Sequence, residues 1–173
     1  RGAGNAPPQT DASTAVLCYC ARRWCTNPPC IREIVRAVLR EKRIIALLEP
    51  ETSDTKGGHT EMECRAILRG ENTFESGDRM VTYEEKMREC MAEQVEQWAT
   101  AWGKPELTLP TVQQIEEALF AQPPLLWSRL ADLQDVSMRL IAERLLPKCP
   151  PRQSGEAYTQ IAYVRGEIAH RAT

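Results

Sequence analysis

The sequence predicts an α/β fold in which a small parallel sheet is flanked by helices. Two strand-length apolar runs, residues 15–20 and 44–48, bracket one helix-length segment with a single apolar stripe. A dozen-residue helical connection suits a right-handed crossover between parallel neighbours better than an antiparallel hairpin. Neither apolar run alternates with polar residues, a pattern that predicts burial on both faces and calls for covering helices. Three capping boxes downstream supply those helices.

Residues 1–13 are rich in Gly, Ala and Pro and read as a disordered lead-in. Residues 15–20 form the first strand, with Val and Tyr favouring extended backbone. Asn27-Pro28-Pro29 marks a helix start, Asn as N-cap and Pro where its missing N–H costs nothing. From there Ile31, Ile34, Val35, Val38 and Leu39 repeat at helical spacing, carrying the helix to about residue 41. Ile44 to Leu48 is the second strand, stopped by Glu49-Pro50.

Residues 51–59 read as a loop, and Thr60-x-x-Glu63 opens a short helix to about Leu68. Residues 70–81 are polar and contain Gly. Thr82-x-x-Glu85 opens a long helix with Tyr83, Met87, Met91, Val95, Trp98 and Trp102 on one stripe, stopped by Gly103 and Pro105. Thr111-x-x-Gln114 opens another, carrying Val112, Ile115, Leu119 and Phe120. Leu125-Leu126-Trp127 is a short third-strand candidate. A last helix, about 132–146, has Leu133, Val136, Leu140, Ile141 and Leu145 as its apolar positions; residues 158–168 alternate enough for an extra strand.

Composition narrows the function classes. The 173-residue chain is 27% charged with a formal net charge of −2, so no basic field argues for nucleic acid or an anionic membrane. No apolar run approaches membrane-spanning length. The seven cysteines contain no Cys-x-x-Cys pair and accompany only two histidines, which fits reduced thiols acting as small apolar residues rather than a metal or disulfide framework. No cofactor or metal is expected, and the thiols point to the cytoplasm.

The pentad Cys30-Ile31-Arg32-Glu33-Ile34, opening a helix between two apolar strands, resembles the signature of Toll/interleukin-1 receptor/resistance-protein (TIR) domains. Leu17 to Glu33 aligns without a gap: Trp24 takes the aromatic position, Cys30 the cysteine and Glu33 the glutamate. Pro29 and Asn27 depart from the usual Trp and Ser. A looser match links Trp127-Ser128 and Gln134 to Ile141 with the final strand and helix of TIR-type NAD hydrolases. The resemblance implies a flavodoxin-like, partial TIR-type domain over residues 14–147, with a helical insertion at about 70–122 and an extension over 148–173. A TIR domain places a strand, a helix and a second strand upstream of the strand matched by residues 15–20. The resemblance therefore covers the C-terminal half, and the front half of an NAD pocket is expected to be absent.

What the resemblance implies for function is a cytoplasmic signalling and assembly module that contacts other proteins, TIR domains among them. In TIR enzymes that cleave NAD the matching glutamate is catalytic, so Glu33 is the catalytic candidate, with Trp24 and Cys30 as substrate-binding candidates and NAD+ as substrate. On a helical wheel, however, Glu33 simply occupies the polar face, three residues from Arg36 and able to form an exposed ion pair with it. Arg32, Arg36 and Arg40 form a basic stripe that reads as a solvated face, with an acidic partner or a nucleotide phosphate as the alternative. Trp98 and Trp102, one turn apart, read as packing residues.

Overall fold

The structure, a computed structural model, describes residues 11, 13–49, 58–127 and 131–146. They fall in two units, Arg1–Arg129 and Leu130–Thr173. In the first, β1 (Ala15–Tyr19) leads through α1 (Pro28–Leu39) to β2 (Arg43–Leu48). Then follow α2 (Glu61–Leu68), β3 (Phe74–Ser76), β4 (Arg79–Val81), α3 (Tyr83–Trp102), α4 (Val112–Leu119) and β5 (Leu125–Leu126). The second unit holds α5 (Ala131–Leu145).

The expected α/β architecture is present. β1, β2 and β5 form a parallel sheet in that order, with Ala15 opposite Arg43, Tyr19 opposite Leu47, and Leu48 opposite Leu126. Backbone bonds from Cys20 N to Leu47 O and from Trp127 N to Leu48 O extend both ladders at their C-terminal ends. Alternation puts Cys18, Cys20, Ile44, Ala46 and Leu48 in one core with Ile31, Ile34 and Val35 of α1. The α3 stripe of Tyr83, Met87, Met91, Val95 and Trp98 enters that core, as do Ile115 and Leu119 of α4. Helices from the 70–122 segment thus contribute to the main core.

All three capping boxes form, at Thr60, Thr82 and Thr111, each with the side chain of the third helical residue returning to the cap backbone. Gly103 ends α3 in the left-handed region at φ 63°.

Several expectations need correction. α1 stops at Leu39, and Glu41 adopts φ 53° to turn the chain toward β2. Residues 70–81, assigned no element from the sequence, contain the antiparallel β3–β4 hairpin, pairing Phe74 with Val81; Gly77 at φ 64° serves its turn. Its strands are too short to leave a periodic signal. β2 is buried from Ile44 onward, but Leu17 and Tyr19 of β1 remain 42% and 39% exposed, because β1 has β2 on one edge and no strand on the other among the described residues. In α5 the buried positions are Ser137 and Ile141, while Leu133, Val136 and Leu140 are exposed, so its composition misplaced the buried face. The expected strand at 158–168 and most of the lead-in lie outside the described residues. Asp11, assigned to that lead-in, is firmly held: its carboxylate takes two bonds from Arg36, at 2.7 and 2.6 Å.

Candidate functional site

The three candidates named by the sequence share one cleft. It has a volume of about 460 Å³ and runs between β1 and the first turns of α1, where Leu17, Tyr19, Trp24, Pro29, Cys30 and Glu33 line it. Pro28 and Pro29 start α1 at a fixed place after the turn at Asn27, although the Asn27 side chain itself makes no cap bond. Cys30 and Glu33, three residues apart, then lie on the same helical face. Glu33 is half-buried there, so the wheel assignment to an open polar face is corrected: the edge of β1 supplies a second wall that a wheel does not contain.

Each residue has a distinct character. Trp24 is only 2% exposed and packs with its ring centroid 5.8 Å from Tyr83, as part of the cleft wall. Its indole N–H is buried without a hydrogen-bond partner. Burial, with lesser contributions from Cys18 and Glu33, pushes the Cys30 thiol up, which keeps it protonated and unsuited to nucleophilic attack. The deeper thiols behave alike: burial pushes Cys25 up to about 11, and Cys20 is raised through contacts with Cys18 and Cys64. These are inert core cysteines. Among the described residues six cysteines are free, and no cluster of metal-ligating side chains occurs.

Sequence reading missed the pair Tyr19–Glu49. The Tyr19 phenol donates to the Glu49 carboxylate, and Glu49 is fully buried just beyond the last residue of β2. Ligands of open α/β sheets bind beyond the C-terminal ends of the strands. An acidic residue ending an apolar strand, with a tyrosine ending its neighbour, was the available signal. His59, the other polar group near this end of β1, holds the Arg22 carbonyl through Nε2 at 3.1 Å.

A second cleft, about 680 Å³, lies among the helices and includes Arg65, Arg69, Thr82, Gln113 and Glu116. Its charges are mutually satisfied. Glu116, 8% exposed, accepts from Arg65 at 2.8 Å and from Arg69 at 3.0 and 2.6 Å, and Arg69 chiefly holds its carboxyl below the ordinary value. Arg65 also stacks 4.4 Å above the Phe120 ring. This network ties α2 to α4 and contains none of the sequence candidates.

The basic stripe also departs from expectation. Arg36 is 5% exposed, lying 4.7 Å from the Trp98 ring centroid and 5.1 Å from that of Trp102. The two indoles stack at 5.6 Å, so they are packing residues as expected, but what they pack is the guanidinium. No protein-family model, curated protein or solved structure matches this chain.

Proposed function

We propose that this chain is a TIR-like signalling and assembly module that acts through protein–protein contacts. The observation that carries the reading is the open edge of β1. Among the described residues its backbone pairs only with β2, and Leu17 and Tyr19 stand partly exposed beside that edge. Ala15–Tyr19 contains no charge and no proline, the features by which strand edges ordinarily repel a second strand. Such an edge suits strand addition, by another domain or by a strand that precedes this segment in a TIR-type sheet, with Leu17 and Tyr19 supplying side-chain contacts. The order β1–β2–β5, joined through α1, is also the order that a TIR-type C-terminal half would have. Cytoplasmic action agrees with the free thiols, and no helix among the described residues is long and apolar enough to cross a membrane.

Sedimentation velocity over a wide concentration range, alone and with an added TIR domain, tests the reading. Association is expected, and Leu17→Asp should abolish it while circular dichroism stays unchanged. A protein that remains monomeric under every condition would count against the module.

One observation favours a second reading, an NAD+ hydrolase using Glu33. Glu33, Cys30 and Trp24 converge on a single cleft whose volume is in the range of small-ligand sites. Cleaving the nicotinamide–ribose bond develops oxocarbenium character, which a carboxylate beside the ribose stabilises. In this reading NAD+ is substrate rather than cofactor, and the protein releases nicotinamide, detectable by proton NMR. Glu33→Ala should eliminate release without altering the melting temperature or assembly. No release from the wild-type chain would sink the hydrolase and leave the assembly module standing.

A further inference from the structure

Three cations gather around Asp11 at the end of α1. Arg36 Nε and Nη2 donate to the two oxygens of Asp11 at 2.7 and 2.6 Å. Arg40 Nη2 stands 3.6 Å from Asp11 Oδ2, too far for a hydrogen bond. Lys42 Nζ reaches the backbone carbonyls of Asp11 and Ser13 at 3.1 and 2.7 Å. Asp11 therefore supplies one negative charge to three positive ones, and its carboxyl is held below the ordinary aspartate value, chiefly by the bond from Arg36. Both carboxylate oxygens are taken by the Arg36 fork.

A second, independent observation concerns Arg40. Its Nε–H is buried and has no hydrogen-bond partner. A shut-in donor of this kind is costly, more so when charged. Yet the guanidinium is fixed in place, stacked 3.6 Å from the Trp102 centroid, while Trp98 and Trp102 together hold Arg36. Two arginine planes are thus positioned on an aromatic floor, and the carboxylate that meets them hydrogen-bonds Arg36 while Arg40 stands off at 3.6 Å.

We propose that Arg36, Arg40 and Lys42 form a binding site for a phosphoryl group, and that Asp11 is its internal, displaceable occupant. A phosphoryl dianion has the extra charge and the third oxygen that a carboxylate lacks, so it can serve the Arg36 fork, Arg40 and Lys42 together. Asp11 and Arg40 are both solvent-accessible, with 19% and 33% of their side chains exposed, which gives an incoming anion a route. When the anion binds, Asp11 leaves and its stretch of backbone loses its anchor. The site is distinct from the Glu33 cleft and does not depend on either reading of it.

Trp98 and Trp102 report on the site by their fluorescence. The wild-type chain and Asp11→Asn are titrated with inorganic phosphate, pyrophosphate and adenosine diphosphate, against chloride at matched ionic strength. Asp11→Asn should bind phosphate about ten-fold more tightly than wild type, because the competing carboxylate is gone. Arg40→Gln should reverse that gain. Equal affinity for phosphate and the nucleotide assigns free phosphate as the ligand, and tighter nucleotide binding assigns a nucleotide phosphate. A response matched by chloride, or an Asp11→Asn affinity no better than wild type, overturns the proposal. Should Asp11→Asn fail to fold, Arg40→Gln in the otherwise wild-type chain decides: pyrophosphate affinity should fall about ten-fold, and an unchanged affinity overturns the site.

Discussion

At Gly58 the chain passes closest to the end of β1. A Cβ there would stand 2.5 Å from the Cys20 carbonyl oxygen, a backbone atom that cannot turn aside, and Gly58 N also donates to Glu49 O. Gly58→Ala should therefore destabilise the protein by about 1–3 kcal/mol, measured by urea unfolding, as the bridge between Ala21 and Gly58 opens. Sequence reading placed position 58 within the loop of residues 51–59 without assigning it a task. The same limit applies to Glu33 and Arg36. Helical spacing gives each an angle on α1, but whether that angle meets solvent, a strand edge or two tryptophans depends on elements distant in the chain.

Among the elements, the helices were the most legible, because their start signals are local. Thr82 accepts from the Glu85 backbone N–H while the Glu85 carboxylate returns to the Thr82 N–H, four residues satisfying each other without outside help. Thr82→Ala removes that arrangement from the 20-residue α3, whose buried stripe carries much of the core. A loss of about 1 kcal/mol is expected in urea unfolding. An equal loss on mutating exposed Glu93 would show that the cap is not special. The β3–β4 hairpin, with three residues in each strand, had no such signature, and its existence rests on pairing rather than on period.

For the whole molecule, acid is the informative perturbation. Asp11 and Glu116 are held below their ordinary carboxyl values by arginines, and Glu63 and Glu85 by their capping bonds. Depressed carboxyls contribute stability that is full above the unfolded-state values, 3.8 for Asp and 4.5 for Glu, and lost as pH falls through the lower folded-state values. The melting temperature should hardly respond to these four groups above pH 5 and fall steadily below about pH 4. Glu116→Gln should flatten that fall, since its carboxylate no longer has a proton to take up. A melting temperature indifferent to acid would mean that the arginine network contributes nothing in solution.

The sequence by itself determined the local matters: where α1, α2, α3 and α4 begin, which residues form the strands of the βαβ unit, and which stripe of α3 turns inward. These follow from periodicity, capping chemistry and the crossover rule, all readable within a window of about twenty residues. Only the tertiary structure decided the rest. It put Glu33 on a cleft rather than a free surface, buried Arg36 against Trp98 and Trp102, joined Tyr19 to Glu49 and, among the described residues, gave β1 a strand partner on one edge alone. The contacts among these join side chains far apart in the chain, from 30 positions between Tyr19 and Glu49 to 66 between Arg36 and Trp102, and no local pattern encodes such a meeting.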